Sequence, residues 1–171
     1  MESKHLRFLR VLEEVVSDLP ERVLRRLCRL HDIRGHRGDT RLEHSLKVAY
    51  LCWRLSGKFR VDGKIALESG LLHDIGYGIP RCPLCKLDPG GHCGICHWRT
   101  GSELLEEVNV DPAVVRAVRR HMFPYGPPPR TPLDWCVWTS DKLESVLSFL
   151  GFRVLPDPVL KRAVSAIYTL S

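Results

Sequence analysis

Residues 4–30, KHLRFLRVLEEVVSDLPERVLRRLCRL, decide the fold class. Leu6, Leu9, Leu12, Val15 and Val16 recur at three- and four-residue steps, the spacing that lines one face of an α-helix. Pro20 suits the opening of a second helix, because its fixed φ fits the first turn and no N–H is needed there. Val23, Leu24, Leu27 and Leu30 continue the period. After a polar break at 35–38, Asp39 or Thr40 is an N-cap, and Glu43 completes a capping box from Thr40. A third helix then runs to about 56 with Leu46, Tyr50 and Trp53 inward. A fourth starts near Asp62 and carries Ile65, Ala66, Leu67, Leu71 and Leu72 into His73-Asp74.

Helix returns at about 99–108 and 111–121, the latter with Asp111 as N-cap and Pro112 in the first turn. Five prolines between Phe123 and Pro132 mark an extended loop. A long helix over about 133–149 is stopped by Gly151, and Pro156 or Pro158 opens a last one to Leu170. No segment alternates at period two. The expected fold is all-α, a bundle of seven or eight helices forming one domain over 1–171.

The composition of the 171 residues, 44% hydrophobic and 27% charged, is that of a soluble globular chain rather than a disordered one. No apolar run approaches the ~18 residues of a membrane span, and the N-terminus does not read as a signal peptide. These features place the protein in the cytoplasm, with no membrane partner. A net charge of +6 favours anionic partners. The arginines are scattered, with no basic block interleaved with aromatics, so a small phosphorylated molecule is favoured over nucleic acid. A homodimer through the N-terminal helices or the proline loop is compatible with the sequence.

The stretch 76–97 is rich in Gly, Pro and Cys and has no apolar period. Loops of this length are usually functional or held by something. Cys82-Pro-Leu-Cys85 and Cys93-Gly-Ile-Cys96 form two CxxC turns, each able to present two thiolates to one tetrahedral ion. The expectation is an insert over 78–97 built on structural zinc. An iron–sulfur cluster or disulfides are the alternatives, and Cys93 to His97 also spells a haem-attachment motif. The insert's place suggests a wall or lid beside the active-site mouth, or scaffold alone. The isolated Cys28, Cys52 and Cys136 sit among apolar residues and read as buried, inert thiols.

Groups able to bind a hard or borderline metal are spread along these helices: His44, the pair His73-Asp74, His97, His121 and Asp141. Helical bundles build metal sites from facing elements. Adjacent helical residues diverge by about 100°, so His73 and Asp74 can serve one metal, or Asp74 can reach a second. Here the segments RLEHS (41–45), LLHDIGYG (71–78) and TSDKLES (139–145) resemble the His…His-Asp…Asp signature of HD-domain phosphohydrolases. HWRTGSELLEE (97–107) and VVRAVRRHM (114–122) resemble the two further histidines of its binuclear subset, which includes diadenosine tetraphosphate hydrolases and HD-GYP phosphodiesterases. The resemblance covers about 40–150.

It implies that His44, His73, Asp74 and Asp141 hold a first metal and that Asp74 bridges to a second held by His97 and His121. His97 adjoins the cysteines and could serve them instead. Mixed imidazole and carboxylate ligands suit Mn, Fe, Co, Ni or Zn. The implied activity is hydrolysis of a phosphate ester or anhydride of a nucleotide-like substrate by metal-activated water. Arg41, three residues before His44 and on its face, and Lys142, next to Asp141, are candidates to bind the phosphate. Arg119 and Arg120, which flank His121, are weaker ones. Met122 follows His121 and the full HD-GYP motif set is missing, so a cyclic dinucleotide does not follow. The alternatives are a metal-dependent nuclease or phosphodiesterase on RNA or DNA, a non-catalytic nucleotide sensor, and, remotely, oxidation chemistry at a di-iron centre.

Overall fold

A computed structural model of the chain describes residues 3–35, 38–79 and 94–171. Within them the chain forms eight helices: α1 (Lys4–Asp18), α2 (Glu21–Leu30), α3 (Arg41–Phe59), α4 (Gly63–Leu72), α5 (His97–Glu107), α6 (Pro112–Arg120), α7 (Pro132–Phe149) and α8 (Asp157–Leu170). The all-α expectation holds. The described residues contain no strand, only an isolated bridge between Arg34 and Thr40 that closes the loop ahead of α3. No described helix is long and apolar enough to cross a membrane.

The helix starts follow the local chemistry. The Thr40 hydroxyl accepts from the Glu43 N–H at 3.2 Å, and the Glu43 carboxylate accepts from the Thr40 N–H at 2.7 Å. This capping box fixes where α3 begins, and so where Arg41 and His44 lie in its first turns. Asp111 caps α6 through Ala113 N–H at 2.7 Å with Pro112 at the first position. Thr131 and Asp134 form a second capping box at the start of α7. Gly151 follows α7 with φ of +83°, the left-handed conformation that glycine adopts most readily.

Helix α3 is the centre of the bundle, packed most extensively on α4 and α7. Helix α1 lies on α8 and α4, and α5 lies on α6. The main core joins Phe8, Leu12, Val16, Leu27, Leu46, Leu71, Leu105, Val114 and Ile167, all fully buried. Each such side chain contributes roughly 1.5–3 kcal/mol relative to exposure. A smaller cluster of Val48, Cys52, Ala66, Ala117, Cys136 and Val137 fills the junction of α3, α4, α6 and α7. Gly70 permits close approach there, since a Cβ on it would lie 2.9 Å from Ala49 Cα and 2.8 Å from Cys52 Sγ.

Three expectations are corrected. Leu6, included in the α1 repeat, is 45% exposed, because the buried face runs through Phe8, Leu9, Leu12, Val15 and Val16. Cys52 and Cys136 are buried, but Cys28 is only half-buried, at the core margin where Tyr168 OH donates to its carbonyl. Helix α5 begins at His97 rather than near 99, with the Cys96 carbonyl accepting from Arg99 N–H at 3.0 Å. Of the expected cysteine insert, Cys82, Cys85 and Cys93 lie outside the described residues.

Candidate metal centre

Six side chains from five helices or their ends converge in the bundle. His44 comes from α3, His73 caps the C-terminus of α4, and Asp74 follows it. His97 opens α5, His121 caps the end of α6, and Asp141 lies midway along α7. All six are buried, from His73 and His121 at 0% to His44 at 8% exposure. Donor atoms of His44, His73 and Asp141 lie within 4.8 Å of one another, and so do those of His73, Asp74 and His121. His97 joins through Asp74 Oδ1 at 3.1 Å and His121 Nε2 at 2.9 Å. The structure therefore brings every sequence-predicted ligand of the HD pattern into one cluster.

Asp74 stands between the two groups. Its Oδ1 faces His97 at 3.1 Å, His73 at 3.4 Å and His121 at 3.7 Å. Its Oδ2 faces Arg41 at 3.4 Å and His44 at 3.8 Å. Oδ1 thus faces three imidazoles and Oδ2 faces that of His44.

The rings are held by their other nitrogens. His73 Nδ1–H donates to Gly70 C=O and His121 Nδ1–H to Val118 C=O, each at 2.7 Å. Both acceptors lie three residues back, among the carbonyls that the end of a helix leaves unpaired. His44 Nδ1–H donates to Glu144 Oε2 at 2.7 Å, and the Ser148 hydroxyl donates to the other Glu144 oxygen at 2.9 Å. In all three rings Nε2 is the nitrogen turned inward, the outer-shell arrangement typical of metal-binding histidines.

Burial, reinforced by the fields of His97 and His73, pushes His121 down to about 3, and burial likewise lowers His73. Both rings are therefore neutral, with an Nε2 lone pair available, the form that ligates a metal. Burial acts against charge on His44 as well. There the hydrogen bonds to Asp141 and Glu144 outweigh it and raise the ring to about 10. Burial favours the neutral form of both site carboxyls too. It is overcome at Asp141 by the hydrogen bond from His44, and at Asp74 by the surrounding imidazoles, so both stay ionised.

Two observations fit a cation. Buried His73 Nε2 has no hydrogen-bond partner. The His97 and His121 Nε2 atoms approach to 2.9 Å, although the Nδ1 bond of His121 leaves its Nε2 as a lone pair. A cation shared by imidazoles accommodates that approach as well as a proton does.

Arg41 and Lys142 both pair with site carboxylates, Arg41 with Asp74 at 3.4 Å and Lys142 with Asp141 at 2.7 Å. Arg41 also lies over the Tyr77 ring at 4.0 Å, and the His97 ring stacks on Tyr77 at 4.2 Å. Arg119 and Arg120 turn away, to Ser102 and Glu106 and to Pro128 C=O respectively. Cys96 is half-buried, one residue ahead of His97. Gly76 lets the turn that carries Asp74 press on α5, because a Cβ there would lie 2.0 Å from His97 O.

Glu144 was not singled out from the sequence. Its only signal is its place three residues after Asp141, on the same helical face.

The model of the HD domain family matches residues 41–146, and the chain belongs to that family. Among its relatives is the Ribonuclease Y of Rhodopirellula baltica, 34% identical over 116 residues, which are 64% of this chain and 20% of that protein. The Ribonuclease Y of Chlorobaculum tepidum is 29% identical over 108 residues, 62% of this chain and 18% of the relative. That of Sulfurovum is 35% identical over 88 residues, 52% and 15% respectively. The chain thus spans a fifth or less of the length of these relatives.

Proposed function

We propose that the chain is a metal-dependent phosphohydrolase that cleaves phosphodiesters, with RNA as its substrate class. The observation that carries the reading is the convergence of six buried ligand-type side chains around Asp74, whose two oxygens face different imidazoles. His44, His73, Asp74 and Asp141 would hold a first divalent ion, and Asp74, His97 and His121 a second, from among Mn, Fe, Co, Ni and Zn. Such ions lower the pKa of water and neutralise charge on phosphoryl oxygens. Glu144 and the carbonyls of Gly70 and Val118 keep the imidazole Nε2 atoms inward. Asp74 and Asp141 remain anionic. Ligation requires the His44 Nε2 proton to leave, so metal uptake releases protons. Arg41 and Lys142, at the margin of the cluster, would turn from Asp74 and Asp141 to the phosphate, Arg41 with its planar fork.

RNA is favoured by the relatives, which are ribonucleases. The nucleotide-sized substrate expected from the sequence remains the second reading. It is supported by the burial of the site, with Asp74 at 3% and Asp141 at 6% exposure. The unit proposed for this activity is 1–171 as a single domain. Its insert would be held by zinc on Cys82, Cys85, Cys93 and Cys96, a reading supported by the paired CxxC spacing and tested by zinc analysis of Cys82→Ser.

The deciding assay presents single-stranded RNA, dinucleoside polyphosphates and mononucleotides to the protein with Mn²⁺, Fe²⁺, Co²⁺ or Ni²⁺, beside Asp74→Ala. RNA cleavage that needs the metal and disappears in the variant is expected. Cleavage of nucleotides alone would select the second reading. Bound metal without turnover of any substrate would leave a sensor or oxidation chemistry.

A further inference from the structure

A cavity of about 450 Å³ lies beside the 75–79 turn and contains none of the six ligand-type side chains. Its walls include Glu21, Arg22, Arg25, Arg26 and Arg29 of α2, with Ile79 and Thr100. The four arginines fall at the i, i+3, i+4 and i+7 positions of one helical stripe. At 1.5 Å per residue they span about 10 Å, long enough to meet more than one phosphate of a strand.

The charges are incompletely matched. Arg25 pairs with Glu21 and Arg22 with Glu107, and all four of these side chains are at least 41% exposed. Such pairs are screened by water and worth little, so exchange for a phosphate is cheap. Arg29 has no ion pair or hydrogen bond among the described residues. Arg26 donates from Nε to Ile75 C=O at 3.1 Å, while its buried NH2 nitrogen has no partner. Burial and the neighbouring Arg29 disfavour the Arg26 charge, which an anion in the cavity would relieve.

The groove is tied to the catalytic cluster by its own walls. The carbonyl that holds Arg26 belongs to Ile75, next to Asp74. Thr100 donates to Gly76 C=O at 3.2 Å from the helix that His97 opens. We infer that the α2 groove binds the phosphate backbone of single-stranded RNA, as an accessory track beside the site that cuts it. This rests on the RNA reading above. Backbone contacts of this kind carry no base information, so binding is indifferent to sequence.

The test is binding of a fluorescent RNA 12-mer, titrated with KCl, to the Asp74→Ala protein with and without Arg25→Ala and Arg29→Ala. Both arginines are exposed, so their removal spares the core. The double substitution should raise Kd about tenfold. It should also flatten the dependence of log K on log salt by about 1.4, some 0.7 for each lost phosphate contact. In the otherwise native protein it should leave hydrolysis of bis(p-nitrophenyl) phosphate, too small to reach the groove, unchanged. Unaltered Kd and salt slope would overturn the inference, and so would displacement of the 12-mer by tripolyphosphate at equal phosphate concentration. A native protein that binds RNA through α2 yet hydrolyses neither substrate would instead remove the hydrolase reading and leave the groove standing.

Discussion

Glu144 accepts the Nδ1 proton of His44 at 2.7 Å, joining residues 100 positions apart in sequence and turning the opposite ring nitrogen toward Asp141 at 3.2 Å. Removing such a partner typically costs about 10–100-fold in metal affinity. Glu144→Ala should weaken Mn²⁺ binding by that factor in calorimetric titration. Glu144→Gln, which keeps a carbonyl acceptor, should recover most of it. Equal affinity in all three proteins would show the bond to be dispensable.

Asp74→Asn keeps the shape of the side chain and removes the charge that the four imidazoles face. Metal-dependent hydrolysis should fall by at least about 10³-fold, on the order of 4 kcal/mol of transition-state stabilisation. Bound metal, measured by elemental analysis, should fall with it, while far-ultraviolet circular dichroism stays unchanged. Full activity in the variant would remove Asp74 from the centre of the site.

Arg41→Lys keeps a positive charge near Asp74 but loses the planar group that lies on Tyr77 and the paired donors suited to a phosphate. The expected result is a loss of about tenfold in kcat/KM, roughly 1.4 kcal/mol, with Mn²⁺ affinity nearly unchanged. A parallel loss of metal affinity would mean that Arg41 serves Asp74 rather than the substrate.

Two glycines should respond in opposite senses. A methyl group on Gly76 would meet His97 O at 2.0 Å and Gly101 N at 2.5 Å, both backbone atoms that cannot step aside. Gly76→Ala should destabilise by about 3 kcal/mol or more in urea unfolding, at the upper end of overpacking costs. Exposed Gly57, within α3, has nothing within 4 Å of such a methyl group. Gly57→Ala should stabilise by about 0.5–1 kcal/mol through helix propensity.

The helices were legible because their apolar residues keep a 3.6-residue period and their starts carry local signals such as Thr40 with Glu43. The candidate ligands were legible because their residue types and order form a pattern. What escaped were features set by the tertiary fold. Apart from its place three residues after Asp141, nothing local distinguishes Glu144 from an ordinary solvated helical glutamate. Its burial beside His44 arises only when α7 packs on α3. The start of α5 at His97 was missed because Cys96 offers no side-chain cap. The arginines of α2 looked like a scattered surface excess, and only the approach of the 75–79 turn makes them one wall of a cavity.

The three inward-turned imidazoles differ in what protects their aim. His73 and His121 are steered by the carbonyls of Gly70 and Val118, which belong to the main chain and survive any substitution that leaves the helix end in place. His44 is steered by a carboxylate that a single codon change can delete. Only the third ring can lose the group that orients it through the replacement of one side chain. Loss of Glu144 would weaken the hold on a metal with all six ligand-type residues still in place, and an inspection of those six alone would overlook it.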